Sequence, residues 1–179
     1  MPMDDRKWFN AKSGAAGPGH RALRGGRISL CGATYFVTKC VAERASLLAN
    51  PTSAAAIIGS LRWLVSNRYA ICWGFVVMPD HYHAILELCG NKSLSDAMAS
   101  IDRYTARRIN FHLGRGGAFW QRGYYDHAVR GAEELEDILA YVHANPVRAG
   151  IAATPNAWPY SSLNLEHAKI VAWASHEGA

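Results

Sequence analysis

Between Ala70 and Leu88 the chain reads AICWGFVVM, then Pro79-Asp80, then HYHAILEL. Both runs are rich in β-branched and aromatic residues, which fit a pleated surface, while Pro presets the φ of a tight turn and Asp hydrogen-bonds its own backbone. The pattern predicts an antiparallel hairpin in the middle of the chain, with His81 at the very start of its second strand. A fold for this sequence has to be built around that pair.

On the N-terminal side, RISLCGATYFVTKCV (residues 27–41) predicts a long first strand with an irregularity at Gly32. SAAAIIGSLRWLVSNRY (53–69) places Ala56, Ile57, Leu61, Leu64 and Val65 at helical spacing. Beyond the hairpin, SLSDAMASIDRYTARRINFHL (93–113) predicts a second amphipathic helix, capped by Ser93 or Ser95, with Arg103, Arg107 and Arg108 on its polar side. The loop GRGGAFWQRG leads to a short strand, YYDHAVR, and then to AEELEDILAYVHANPVRAG, a last helix with acids in its first turn and Pro146 where it should fail. The order β, α, β, β, α, β, α, without internal repeats, predicts an α+β class: a ferredoxin-like (split βαβ) antiparallel sheet with helices on one face and one extra C-terminal helix.

With 179 residues, 50% of them hydrophobic, the chain suits one domain. Residues 11–26, AKSGAAGPGHRALRGG, lack hydrophobic periodicity, so the expected organisation is a flexible basic arm over 1–24, a domain over 25–163 and a packing or linker tail over 164–179. The net charge of +5 favours an anionic partner, nucleic acid first. Cys31, Cys40, Cys72 and Cys89 form no CxxC pair, which excludes a zinc knuckle or thioredoxin-like motif and predicts reduced thiols packed as small core residues. No secretion signal and no run of about 18 apolar residues is present, so a cytoplasmic protein without a membrane span is expected.

In a strand, side chains alternate faces, so His81 and His83 point the same way, about 7 Å apart at their bases, and Tyr82 points opposite. One ion could touch both rings; a half-polar sheet face that binds nothing has the same pattern. On the last helix, Tyr141 and Asn145 stand four apart and project from one side roughly 6 Å apart, with His143 turned away. They could meet the histidines, or serve as a core aromatic and a C-terminal cap. Two imidazoles and an amide oxygen would form an open N/O site suited to magnesium or manganese beside phosphate oxygens, where a tyrosine could attack phosphorus in line.

These strings carry a resemblance. His81-Tyr82-His83 after VVMPD, with a tyrosine on a later helix, resembles the HUH single-tyrosine transposases of the IS200/IS605 kind. YFVT (35–38), MPDHYH, FWQRGYYDHAVR and YVHANPVRAG together resemble the REP-associated tyrosine transposases, over about residues 24–163. The resemblance implies an enzyme in which His81, His83 and Asn145 hold magnesium or manganese and Tyr141 is the nucleophile. It implies cleavage and rejoining of single-stranded DNA near hairpin-forming REP-type palindromes, through a 5′-phosphotyrosine link, by a monomer or homodimer. Arg107, Arg108, Arg115, Arg122, Arg130 and Lys92 are candidate phosphate contacts, and Trp120, Tyr124 and Tyr125 candidate base-stacking residues. His127 and His143 are candidates for orienting the metal ligands, with core hydrogen bonding as their other role. Two further classes remain: a non-catalytic single-strand-binding module on the same fold, and a metal-dependent hydrolase of small phosphates or esters.

Overall fold

A computed structural model describes residues 31–90 and 92–171. Its strands are β1 (Thr34–Cys40), β2 (Ala70–Met78), β3 (His81–Leu88) and β4 (Tyr125–Ala128), and its helices α1 (Pro51–Ser66), α2 (Leu94–His112) and α3 (Ala132–Arg148). Strand order is β2-β3-β1-β4 with every neighbouring pair antiparallel. Strands β1 and β2 are thus the outer members of a split βαβ unit with β3 inserted between them, the predicted α+β architecture. The Pro79-Asp80 hairpin is present, and β3 starts at His81. The expected arm lies outside the described residues.

Helix α1 starts two residues before its predicted position because Asn50 caps it, accepting from the Thr52 and Ser53 amides, and Pro51 supplies a first-turn φ. Ser93 rather than Ser95 caps α2, accepting from the Asp96 amide. The first strand is shorter than predicted: a turn with Gly32 at φ 83° precedes it, and pairing begins at Thr34. Helix α3 does not fail at Pro146 but runs to Arg148. Proline loses one helical N–H bond, a small cost so near the end, where Ala149 N–H still reaches the Asn145 carbonyl at 2.9 Å and Pro146 itself is buried.

Alternation along the strands divides the apolar residues between two cores. Tyr35, Val37, Phe75, Val77, Tyr82, Ala84 and Leu86 face α1 and α2, while Phe36, Val76, Met78 and Ile85 face Ile138, Tyr141 and Val142 of α3. Both faces are therefore covered, the second by α3 with Trp158 packed beside it. The segment after α3 closes the β2 edge: Val77 N–H donates to the Tyr160 carbonyl, Ser162 N–H to Phe75 carbonyl, and Ile170 and Val171 are buried beside Cys72. Of the four thiols only Cys72 is buried, whereas Cys40 and Cys89 are half-buried and Cys31 exposed. The expectation of four core thiols holds for one, because the other three stand at strand ends.

Gly74 follows an irregularity in the β2–β3 pairing, and it lets α3 approach: a Cβ there would lie 2.5 Å from Leu139 Cδ2. Gly74→Ala should therefore destabilise the protein by about 1–2 kcal/mol in urea unfolding. Leu139→Ala in the same chain should remove most of that increment, giving clear non-additivity in the double-mutant cycle.

Candidate active site

Register places the site. Thr38 pairs with His83 across β1–β3 and with Tyr125 across β1–β4, and Cys40 pairs with His81. On the α3 side of the sheet, His81 and His83 converge until their Nε2 atoms are 3.2 Å apart, with rings at 80°. Each remaining ring nitrogen is held: His83 Nδ1 by the Thr38 hydroxyl at 2.7 Å, His81 Nδ1 by Asp80 Oδ1 at 2.6 Å. A neutral imidazole carries one proton, so an Nδ1–H directed to these oxygens leaves both Nε2 lone pairs facing each other.

Burial decides the charge on His83. The ring is 0% exposed, and loss of solvent, followed by the repulsion that a second charge would meet from the His81 ring and from Arg44, holds its pKa well below the usual histidine value despite a hydrogen bond with Asn145. Asp80 goes the other way. Burial pushes its pKa up, but the hydrogen bond from His81 and the charges of His81 and Arg44 outweigh that and lower it. Arg44 Nε meets Asp80 Oδ2 at 2.8 Å, and Arg44 Nη1 donates to Cys40 Sγ at 2.9 Å. Glu43 and Arg44 both adopt φ 56°, an unusual conformation for side-chain-bearing residues that costs on the order of 1 kcal/mol each, and this backbone presents Arg44 to Asp80.

Helix α3 supplies the other wall. Tyr141, 5% exposed, lies with its ring centroid 5.8 Å from that of His83 and 6.1 Å, edge-on, from that of Phe36. Asn145 donates from Nδ2 to the Tyr141 carbonyl at 2.8 Å, and its amide lies beside the His83 ring and the Tyr141 hydroxyl. Burial raises the Tyr141 pKa, with the Asn145 bond opposing it and the neighbouring Tyr125 adding to it. The phenol is protonated at neutral pH.

The donor set fits a divalent ion. Two nitrogens bound to one ion at about 2.1 Å stand about 3.0–3.4 Å apart at octahedral or tetrahedral angles, and the observed 3.2 Å lies within that bite. Nδ1 anchoring by a carboxylate and a hydroxyl is the usual support of ligating histidines. Among the described residues no group of three or more His, Cys, Asp or Glu stands together, and the polar side chain that α3 brings beside the two imidazoles is the Asn145 amide.

The other sequence candidates are dispersed. Arg107 and Arg108 are exposed on α2, which covers the opposite face of the sheet. Lys92 packs over the rings of Tyr69 and Trp63 at 4.5 and 5.5 Å. Trp120 packs against Tyr82 and donates to Thr105, while Tyr124 reaches Ser95, both away from the histidines. Arg115 is half-buried against Phe119, and Arg122 and Arg130 are exposed. His127 bonds Glu134 and His143 bonds Ser162. Sequence reasoning missed Thr38, Asp80 and Arg44, which contact the two imidazoles or their anchor. Arg148 Cζ stands 5.5 Å from the Tyr141 ring centroid, at the helical spacing 141, 145, 148.

The chain matches the family described as "Transposase IS200 like" over residues 32–145. It is 24% identical over 143 residues to the REP-associated tyrosine transposase of Escherichia coli, covering 80% of this chain and 84% of that protein. A Haemophilus influenzae protein provisionally given the same name is 29% identical over 107 residues, 54% of this chain; the match spans 58% of that relative's length. The fold also resembles a REP-associated tyrosine transposase solved bound to a REP hairpin, with a TM-score of 0.60, 25% identity, and coverage of 76% of this chain and 80% of that one. Among the described residues, no helix is long and apolar enough to cross a membrane.

His143 clips α3 to the segment after it, bonding the Ser162 hydroxyl at 2.8 Å, and burial lowers its pKa to about 4. An unfolded histidine titrates near 6.5, so this group's contribution is complete above that value and is lost as pH falls towards 4, at most by about 3 kcal/mol. Stability measured from pH 7 to 4 should therefore fall less steeply, by up to one proton, in His143→Gln.

Proposed function

The chain belongs to the IS200-like transposase family, with the REP-associated tyrosine transposases, a group of DNA strand transferases; on that premise we propose that it is a metal-dependent single-stranded DNA endonuclease and transesterase. It cleaves and rejoins DNA near hairpin-forming, REP-type palindromes through a 5′-phosphotyrosine intermediate, acting on DNA in the cytoplasm. The observation that carries this reading is the approach of two anchored imidazoles, an amide and one tyrosine at the seam between β3 and α3.

In this mechanism His81, His83 and the Asn145 carbonyl would hold magnesium or manganese, whose positive charge would offset that on the oxygens of a phosphodiester. Asp80 and Thr38 fix the ring orientations, and the dry surroundings of His83 keep it neutral for ligation. Phe36 packs edge-on against the Tyr141 ring. The phenol oxygen attacks phosphorus, the bond to the 3′-oxygen breaks, and a free 3′-hydroxyl results; attack by a 3′-hydroxyl on the phosphotyrosine reverses the step. The raised pKa of Tyr141 means that deprotonation has to accompany attack.

A denaturing gel tests the proposal. Full-length protein mixed with labelled single-stranded hairpin DNA from its own gene flanks and manganese should give a covalent adduct. Tyr141→Phe should abolish the adduct, by at least about 10³-fold, while hairpin binding persists. Tight hairpin binding without any adduct would favour the non-catalytic binding module instead.

A further inference from the structure

A phosphodiester attacked by Tyr141 presents two non-bridging oxygens, of which an ion held by His81, His83 and Asn145 would meet one. The rings packed around Tyr141 are those of His83 at 5.8 Å, Phe36 at 6.1 Å, and Tyr125 beside them. Two arginines of the described residues stand at this seam. Arg44 meets Asp80 and the Cys40 thiol. Arg148 is exposed on the last turn of α3, and its guanidinium turns back to within 5.5 Å of the Tyr141 ring centroid.

That placement is specific. Two turns of helix separate the two residues, about 10.5 Å of rise, so the side chain has to extend along the helix to reach the ring. A cation at a helix C-terminus is favourable in itself, but pointing into water would satisfy that equally well. Tyr141, Asn145 and Arg148 form one stripe, with the nucleophile, an amide donor and a guanidinium on the same side of α3. Arginine's planar fork suits a phosphate whose charge rises in the transition state.

We propose that Arg148 is a further catalytic residue, the group that binds the non-bridging phosphate oxygen turned away from His81 and His83 during attack by Tyr141. This rests on the proposed transesterase reading. In the step, the Tyr141 Oη–phosphorus bond forms as the phosphorus–O3′ bond breaks. The phenolic proton leaves to solvent, the 3′-oxygen gains one from solvent, and Arg148 remains protonated throughout. Its role is to neutralise charge that develops on the phosphate.

Charge substitution on the substrate separates this role from packing. Single-turnover adduct formation is measured at saturating hairpin DNA, with an ordinary scissile phosphodiester and with each methylphosphonate diastereomer at that linkage. Arg148→Gln should lower the rate on the phosphodiester about 10²-fold with little change in DNA affinity. On one methylphosphonate diastereomer, which is neutral where the guanidinium would bind, the deficit should shrink to a few-fold. Arg148→Lys should fall between the two. An equal deficit on all substrates, or none on the phosphodiester, would overturn the assignment while leaving the transesterase reading intact. Failure of the unsubstituted protein to form any adduct would overturn both.

Discussion

The pairing register of β1 with β3 is the constraint on which the site depends. Thr38 opposite His83, and Cys40 opposite His81, fix which face of the sheet the imidazoles occupy. Side chains alternate with a period of two, so a slip of one residue would turn both histidines into the α1–α2 core and bring Tyr82 to the α3 side. Tyr82 is fully buried and packs with Trp120 and Met98, so that slip would also expel a large aromatic from its core. Hydrophobic burial on one face thus holds the polar arrangement on the other.

The face opposite the site carries its own buried charge. Lys39, 2% exposed, directs its ammonium to Asp102 Oδ2 at 2.7 Å and to the carbonyls of Gln121 and Gly123 at 3.0 and 2.8 Å. Three donors meet three acceptors, so the desolvated charge is matched, although burial still leaves the Asp102 pKa raised. The contacts tie β1 to α2 and to the loop that enters β4. On the other side, Gly74, His143 and Ser162 hold α3 against β2, so Tyr141 stands on a helix packed along the sheet.

The sequence was legible where periodicity and turn chemistry agree. The order of elements, the Pro79-Asp80 hairpin, the common face of His81 and His83 and the divergence of His143 from Tyr141 all follow from local geometry. Pro146 does not stop the helix because a proline two residues before a helix end costs little. The first strand was drawn too long because β-propensity says nothing about the turn at Gly32 that precedes pairing. The DNA-contact candidates scattered because arginines close in sequence were grouped without a face: α2 covers the sheet side away from the histidines. Thr38, Asp80 and Arg44 were missed because their roles arise from cross-strand register and from left-handed backbone at residues 43 and 44, neither of which leaves a compositional trace.

The central claim is that one divalent ion is held by His81, His83 and Asn145 beside Tyr141. A crystal structure of the protein grown with manganese, with anomalous data collected at the manganese edge, tests it most directly. The account predicts a single anomalous peak within about 2.3 Å of both Nε2 atoms and of Asn145 Oδ1, on the Tyr141 side of the sheet. A fully loaded crystal with its manganese elsewhere, or with the two imidazoles still in contact and no ion between them, would contradict it.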